Sequence, residues 1–460
     1  MGTARLVVDG TDTTLVRKAT ISLSPGRVMD RRLTQLVRFS REVYNAALQH
    51  RRDAWRMERV SVTRFDQFTE IPGLFAVRPD LERYGTQFIR GAMSRVDEAF
   101  GAFFRRVKAK DTPGYPRFKS ARRFSTVFYD EPVSWSLRHF DGTGTPCLYV
   151  QGVGEIPLSV RGARQLRRLL ARGGEPRTLT ITRISTGAWR ASVCLRNVAA
   201  KPLPATAEVG GVDRGIAVTA ALPDGTLLAS PRFSRLARDE IIALQRERAL
   251  HEKGSVEWGR CNKAVAKAYR SARQRSDNWA REAAKEIVGR YGVIALEDLK
   301  LPQMTRSARG TKEQPGINVA SKRGLNRSLQ EAALGRLANW VCAKAEEAGR
   351  RVYKVDPRNS SRECAACGHT TKENRPTRAS FSCTRCNHQA HADVNAAQVL
   401  SARGQAADAR WREAGCPLLT RPKPRLVRRR GDVAARVADV GTAVQQYGAG
   451  SAPHATARMA

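Results

Sequence analysis

The pattern C-x2-C-x15-C-x2-C, formed by Cys364, Cys367, Cys383 and Cys386, limits what this chain can fold into more than any other feature of its sequence. Each close pair presents two thiolates from one tight turn, and four sulfurs complete a tetrahedron around zinc. Two disulfides are the alternative, which a reducing cytoplasm disfavours. Because four thiolates close a structural site, His369, His388 and His391 are read as bystanders. The other five cysteines, Cys147, Cys194, Cys261, Cys342 and Cys416, are scattered singly, mostly in apolar contexts such as "ASVCLR" and "NWVCAK". Free cysteine behaves there as a small buried hydrophobe, so no function is expected of them.

The knuckle runs directly into "HADVNAAQVLSA", a helical stretch with one acid, Asp393, at its start. The positive end of the helix macrodipole favours a carboxylate there, so Asp393 is either a capping acid or part of a site. Charge narrows the choice of partner. Lys and Arg number 81 against 43 Asp and Glu, a formal net charge of +38. An excess of this size is the electrostatic footprint of nucleic-acid binding. Membrane partners are set aside, because no apolar run approaches the roughly 18 to 20 residues of a spanning helix. The start, "MGTARLVVDGTDTT", lacks a signal peptide's apolar centre. The expected location is the cytoplasm, with nucleic acid as the partner.

At 460 residues the chain is long enough for two to four domains. A strand, "TLVRKATISLSP", precedes a helix over "MDRRLTQLVRFSREVYNAALQHRRDAWR", in which Leu33, Leu36, Val37, Val43, Tyr44, Ala47 and Leu48 keep helical spacing. In "LERYGTQFIRGAMSRVDEAFGAFFRRVKAK" the residues Tyr84, Phe88, Ile89, Ala92, Met93, Val96, Phe100, Phe103 and Phe104 form a core stripe. Arg90, Arg95, Arg105, Arg106 and Lys108 fall largely off it, tracking phosphates or simply facing solvent. Pro113, Gly114 and Pro116 then break the helix, and "TLTITRISTGAWRASVCL" reads as a hairpin turning at Ser185, Thr186 and Gly187. These pieces suggest a small β-domain into whose sequence helices are inserted, with "KPLPATAE" as a linker.

Beyond the linker, "EVGGVDRGIAVTAALPDGTLLAS" offers three short strands, the first broken by Asp213. An unpaired buried carboxylate is costly, so Asp213 belongs in a turn, in a hydrogen bond or over a metal at a strand end. Basic helices from about Ser234 to Arg290 lead to the strand "YGVIALEDLK". Strand side chains alternate faces, so only one of its two acids, Glu297 and Asp298, can share a site with Asp213. One helix over "LNRSLQEAALGRLANWVCAKAEEAG" and the strand "RRVYKVD" complete the path to the knuckle. Asp213, Glu297 and Asp393 are the raw material for a two-metal nuclease site, since paired Mg²⁺ ions need hard oxygen ligands that converge in space.

The runs "GVDRGI", "ALEDLKLPQMTRSARGT", "GLNRSLQEAALGRLANWVCAKAEEAGRRVYKVDPRNSSRECAACGH" and "HADVNAA", with "REVYNAAL" and "YPRFKS" nearer the start, resemble the TnpB (OrfB) family of transposon-encoded, RNA-guided DNA nucleases. Miniature type V CRISPR effectors share these motifs. The likeness covers roughly residues 12–403. It implies an α/β multidomain fold: an RNase H-like (RuvC) nuclease over 204–360 and 389–403, with a zinc ribbon inserted at 361–388 as the piece that binds target nucleic acid. It further implies a wedge-like β-barrel over 1–28 and 118–203, carrying a helical recognition domain at 29–117. A disordered basic tail is expected over 404–460. By the same resemblance, Asp213, Glu297 and Asp393 are the catalytic Mg²⁺ ligands. Guide RNA and structural Zn²⁺ are the other cofactors, and double- and single-stranded target DNA are the partners of a monomer or of a dimer on RNA. Arg214 stands where the family pattern leads one to expect an apolar residue, and His391 where an acid often precedes the last Asp.

Three functions remain open on sequence. The first is a guided endonuclease, in which guide pairing supplies sequence choice and the protein reads a short motif beside the target. The second is a DDE-type transposase or recombinase, since RNase H folds serve both chemistries. The third is a guide-RNA-dependent DNA-binding protein with little cleavage activity.

Overall fold

A computed structural model describes residues 4–311 and 313–416. The chain is mixed α/β and forms two compact units. Of the described residues, one comprises 4–22, Val160–Arg177 and 183–416; the other comprises Leu23–Ser159 with Thr178–Thr182.

The larger unit is organised on a four-stranded sheet of β1 (Arg5–Val8), β2 (Val209–Val212), β3 (Val293–Glu297) and β4 (Arg351–Val355), in spatial order β1-β4-β3-β2. β4, β3 and β2 run parallel, and β1 closes the edge antiparallel to β4. Its helices are α1 (Val256–Arg290), α2 (Val319–Glu331), α3 (Leu334–Ala348) and α4 (Ala392–Glu413), together with shorter ones. Parallel strands are covered on both faces, so their sequences read as continuous apolar runs. The period-2 alternation then assigns each residue to a layer. Val212, Ile294, Leu296 and Val352 pack on Ala284, Ile287 and Val288 of α1 and on Leu337, Val341 and Ala345 of α3. Val293, Ala295, Tyr353 and Val355 face the other way, onto Leu400 and Ala407 of α4.

Helix α4 lies unusually close to the sheet because glycines permit it. A Cβ on Gly211 would sit 2.1 Å from the Ala397 carbonyl oxygen, and one on Gly404 would sit 2.7 Å from the Ala295 Cβ. The Gly211 N–H also donates to the Ser401 hydroxyl at 2.6 Å. Gly404 is therefore a contact point and not a helix end. The tail expected from 404 begins no earlier than the end of α4 at Glu413, since Ala407 and Asp408 are buried beyond it. The remainder of that expected tail, 417–460, lies outside the described residues.

The single helix expected over 325–349 is two. Ala333 adopts a left-handed backbone, φ 58°, between α2 and α3. The sequence is helix-compatible throughout, but Leu329, Ala332 and Leu334 are buried with Ile216, Leu299 and Leu301, and burying both leucines there requires the turn.

In the smaller unit, helix Arg27–Glu58 crosses helix Gln87–Lys108. The expected stripe is largely buried, although Phe104 is 40 % exposed. Strand Thr126–Tyr129 crosses directly over Gly91, where a Cβ would meet the Phe128 carbonyl oxygen. A three-stranded antiparallel meander follows, of Trp135–Arg138, Cys147–Val150 and Gly154–Pro157. Among the described residues, no helix is long and apolar enough to cross a membrane.

Candidate nuclease site and zinc-binding insert

Strand register brings two of the expected acids to one place. Asp213 continues the phase of Val209 and Gly211, and Glu297 that of Val293 and Ala295, so both belong to the face that packs α4. Asp213 is held just past β2 by an antiparallel bridge to Ala221, with hydrogen bonds of 3.2 and 2.9 Å. Asp393 arrives from above, in the first turn of α4, where the His391 ring caps the helix by accepting the Asp393 N–H at 3.2 Å. Asp298 falls on the opposite phase and pairs with Lys300.

The three carboxylates feel one another. Burial, then the charges of Glu297 and Asp393, push the Asp213 carboxyl up to about 8. Glu297, only 6 % exposed, is likewise raised, first by burial. This donor set fits a divalent hard cation: it is all carboxylate oxygen, and its mutual repulsion is what such a cation relieves. The three do not rank among the side-chain groups whose ligand atoms all lie within 4.8 Å of one another among the described residues. Instead a guanidinium has entered. Arg375 donates from Nη2 to Asp393 Oδ1 at 3.1 Å, and its charge also lowers Asp213.

Arg214, the departure from the expected apolar residue, is buried beneath the site. Its backbone N–H donates to Glu297 Oε2 at 3.1 Å, Nη1 donates to the Leu334 carbonyl at 3.3 Å, and Nη2 donates to the Glu297 carbonyl. It thus ties the ends of two strands to the start of α3. Sequence pattern gave no sign of this, because a buried arginine is recognised only by its partners.

The four knuckle cysteines converge with their sulfurs all within 4.8 Å of one another. The two halves are built alike. Cys364 N–H donates to the His369 carbonyl and Cys383 N–H to the His388 carbonyl, each at 2.9 Å. The residue four places after each of these cysteines, Gly368 (φ 72°) and Asn387 (φ 56°), takes the left-handed backbone that reverses the chain. Desolvation pushes the Cys383 thiol up, but the backbone N–H groups of Cys386 and Arg385 outweigh it and bring the thiol down to about 6.

Two buried asparagines, neither anticipated from sequence, join the parts. Asn374 bonds the Arg362 and His369 carbonyls at 2.9 Å and accepts from the Thr384 N–H at 3.0 Å, locking one half of the knuckle to the other. Asn395, two residues after Asp393, accepts from the Ala365 N–H at 3.0 Å and donates to the Glu363 carbonyl at 2.7 Å. The lone Asp follows the knuckle so closely because the knuckle fixes the helix that carries it. Of the scattered cysteines, Cys147 and Cys261 are buried as expected, Cys194 and Cys342 are half-buried, and Cys416 is exposed.

The family model described as "Cas12f1-like, TNB domain" matches residues 335–400, spanning α3, β4, the knuckle and the start of α4. The RNA-guided DNA endonuclease InsQ of Escherichia coli (strain K12) is 27 % identical over 321 residues, covering 70 % of this chain and 75 % of InsQ. An RNA-guided DNA endonuclease of Streptomyces pristinaespiralis is 26 % identical over 383 residues, 80 % of this chain and 84 % of that protein. In fold, the chain matches Cas12f1 in its complex with sgRNA and target DNA at a TM-score of 0.54 and 12 % identity, covering 85 % of this chain and 99 % of that one. The chain is thus similar over most of its length to InsQ, a TnpB-family protein, and its residues 335–400 match the Cas12f1-like TNB domain.

Proposed function

We propose that the protein is an RNA-guided DNA endonuclease that cuts target DNA beside a short adjacent motif, using one Mg²⁺-dependent RuvC-like site. The observation that carries this reading is that Asp213 and Glu297 stand at the C-terminal ends of neighbouring parallel strands, with Asp393 near enough for its charge to act on both, and that the helix bearing Asp393 is braced by a four-cysteine knuckle. The names of the two relatives that share most of the chain support it.

In this reading Asp213, Glu297 and Asp393 hold Mg²⁺, and Cys364, Cys367, Cys383 and Cys386 hold structural Zn²⁺. Bound Mg²⁺ supplies charge that activates the attacking water and neutralises the scissile phosphate. Arg214 keeps Glu297 in place from below, and Arg375 supplies a positive charge beside Asp393. The knuckle, over 361–388, handles target nucleic acid. Strand Thr14–Leu23 and the strands of 118–203 form a wedge-like barrel into whose sequence the helices of 29–117 are inserted, and these helices grip guide RNA, whereas Arg5–Val8 belongs to the nuclease sheet. The net charge of +38 serves that polyanion, and the protein acts at the nucleoid of a bacterial cytoplasm, as a monomer or as a dimer on RNA.

The test compares plasmid cleavage by RNA-free protein with cleavage by protein refilled with its own copurified RNA. Guide-dependent, site-specific cutting is expected. Equal cutting without RNA would favour a self-reading recombinase, and guide-dependent binding without cutting would favour a binding-only protein. Sequencing the copurified RNA distinguishes a transposon-end guide from a CRISPR-array guide.

A further inference from the structure

Outside the knuckle, the three-stranded meander of the smaller unit gathers three different metal-binding side chains. The register pairs Arg138 with Cys147 and Tyr149 with Glu155, placing Arg138, Cys147, Tyr149 and Glu155 on one face. His139 follows the strand with a left-handed backbone, φ 60°, uncommon for a residue with a Cβ, and this turns its ring back onto the same face. One ligand atom from each of His139, Cys147 and Glu155 then lies within 4.8 Å of the others.

We propose that His139, Cys147 and Glu155 form a second zinc site, independent of the four-cysteine knuckle, which fastens the loop between strands Trp135–Arg138 and Cys147–Val150. The His139 Nε2 to Glu155 Oε2 separation is 3.5 Å. Two ligands held at about 2.0 to 2.2 Å by a tetrahedral zinc stand roughly 3.4 Å apart, so this pair is already spaced for the ion. Imidazole, thiolate and carboxylate are the three side-chain ligands zinc takes.

The surrounding contacts orient the ligands as outer partners of a metal site do. His139 Nδ1 is occupied by the Thr143 hydroxyl at 3.3 Å, which leaves Nε2 for the ion, and Thr143 is itself held by Asp141 at 2.7 Å. Glu155 Oε1 is taken by Arg138 at 2.9 Å, whose guanidinium lies 3.7 Å over the Tyr149 ring, so Oε2 is the oxygen turned toward His139. Cys147, at 3 % exposure, supplies the buried anchor and releases its thiol proton to solvent on binding. Water completes the fourth position. A second mixed group, Glu247, His251 and Cys261, also lies within 4.8 Å, and it serves as the control.

The experiment is zinc stoichiometry by mass spectrometry on full-length protein dialysed against excess zinc and desalted. Wild type is expected to hold two equivalents. Cys147→Ser, His139→Asn and Glu155→Gln should each hold one, whereas His251→Asn should still hold two. Glu155→Gln changes a half-exposed side chain and guards against loss of fold as the cause. Cobalt-substituted wild type minus Cys147→Ser should leave a single-thiolate charge-transfer band. One zinc in wild type, unchanged in Cys147→Ser, would overturn the site, as would a second zinc lost only in His251→Asn.

Discussion

Arg375 of the four-cysteine insert donates to the Asp393 carboxylate at 3.1 Å and to the Arg378 carbonyl of the same insert at 2.7 Å. The insert therefore reaches the acid cluster with a positive charge as well as bracing α4 through Asn395. A guanidinium at that place competes with any cation the carboxylates bind. Arg375→Ala should tighten Mg²⁺ binding to RNA-free protein about fivefold, the size expected when a partly exposed ion pair is removed. Titration calorimetry checks it, and unchanged affinity would detach Arg375 from the metal ligands.

Replacing Asp213, Glu297 or Asp393 by Ala should lower Mg²⁺-dependent cleavage at least about a thousandfold while leaving RNA binding nearly intact. Asp298→Ala should retain most activity, because Asp298 is paired with Lys300 on the other phase of the strand. Full cutting by any one of the three variants removes that residue from the site.

Cys364→Ser or Cys383→Ser should release the knuckle zinc and unfold the insert, because a structural thiolate site supplies much of the folding energy of so small a module. Asn395→Ala should keep that zinc but lose activity, since it unfastens α4 from the Glu363 carbonyl and the Ala365 N–H. Metal analysis beside a cleavage assay separates the two effects. Loss of zinc in Asn395→Ala would mean that the contact serves the knuckle instead.

Asp408 near the end of α4 gives the large unit an acid-sensitive anchor. Burial raises its carboxyl, but Arg351, the Tyr353 hydroxyl and Arg412 outweigh burial and hold it below the usual range. A depressed folded pKa stabilises above the unfolded value of about 3.9 and is lost as pH falls below it. Asp408→Asn should therefore cost about 1–3 kcal/mol at neutral pH. The gap between variant and wild type should close below about pH 4. Denaturant unfolding at several pH values reads this directly, and a gap independent of pH would contradict it.

If the charge of +38 holds RNA, apparent affinity should fall steeply with salt. Single strands lose about 0.7 in log K per log unit of salt for each phosphate contacted, so ten contacts give a slope of roughly −7. Filter binding across a salt series measures the slope. A flat line would assign the charge to solubility alone.

The sequence was sufficient for elements that local chemistry specifies. The cysteine spacing announced the convergence of Cys364, Cys367, Cys383 and Cys386, because paired thiols in tight turns carry their geometry with them. Alternation along "VIALED" was enough to separate Glu297 from Asp298, since parity in a strand decides the face. Tertiary structure alone decided the rest. It broke the helix at Ala333, where local propensity would have carried it through, because buried leucines on both sides demanded the turn. It carried α4 past Gly404, because a missing Cβ that looks like a stop signal in sequence is a close approach when Ala295 lies beneath it. Arg214, Arg375, Asn374 and Asn395 gain their roles only from partners far along the chain. A polar side chain announces nothing by its spacing, and its energy depends on which donor or acceptor the fold places opposite it.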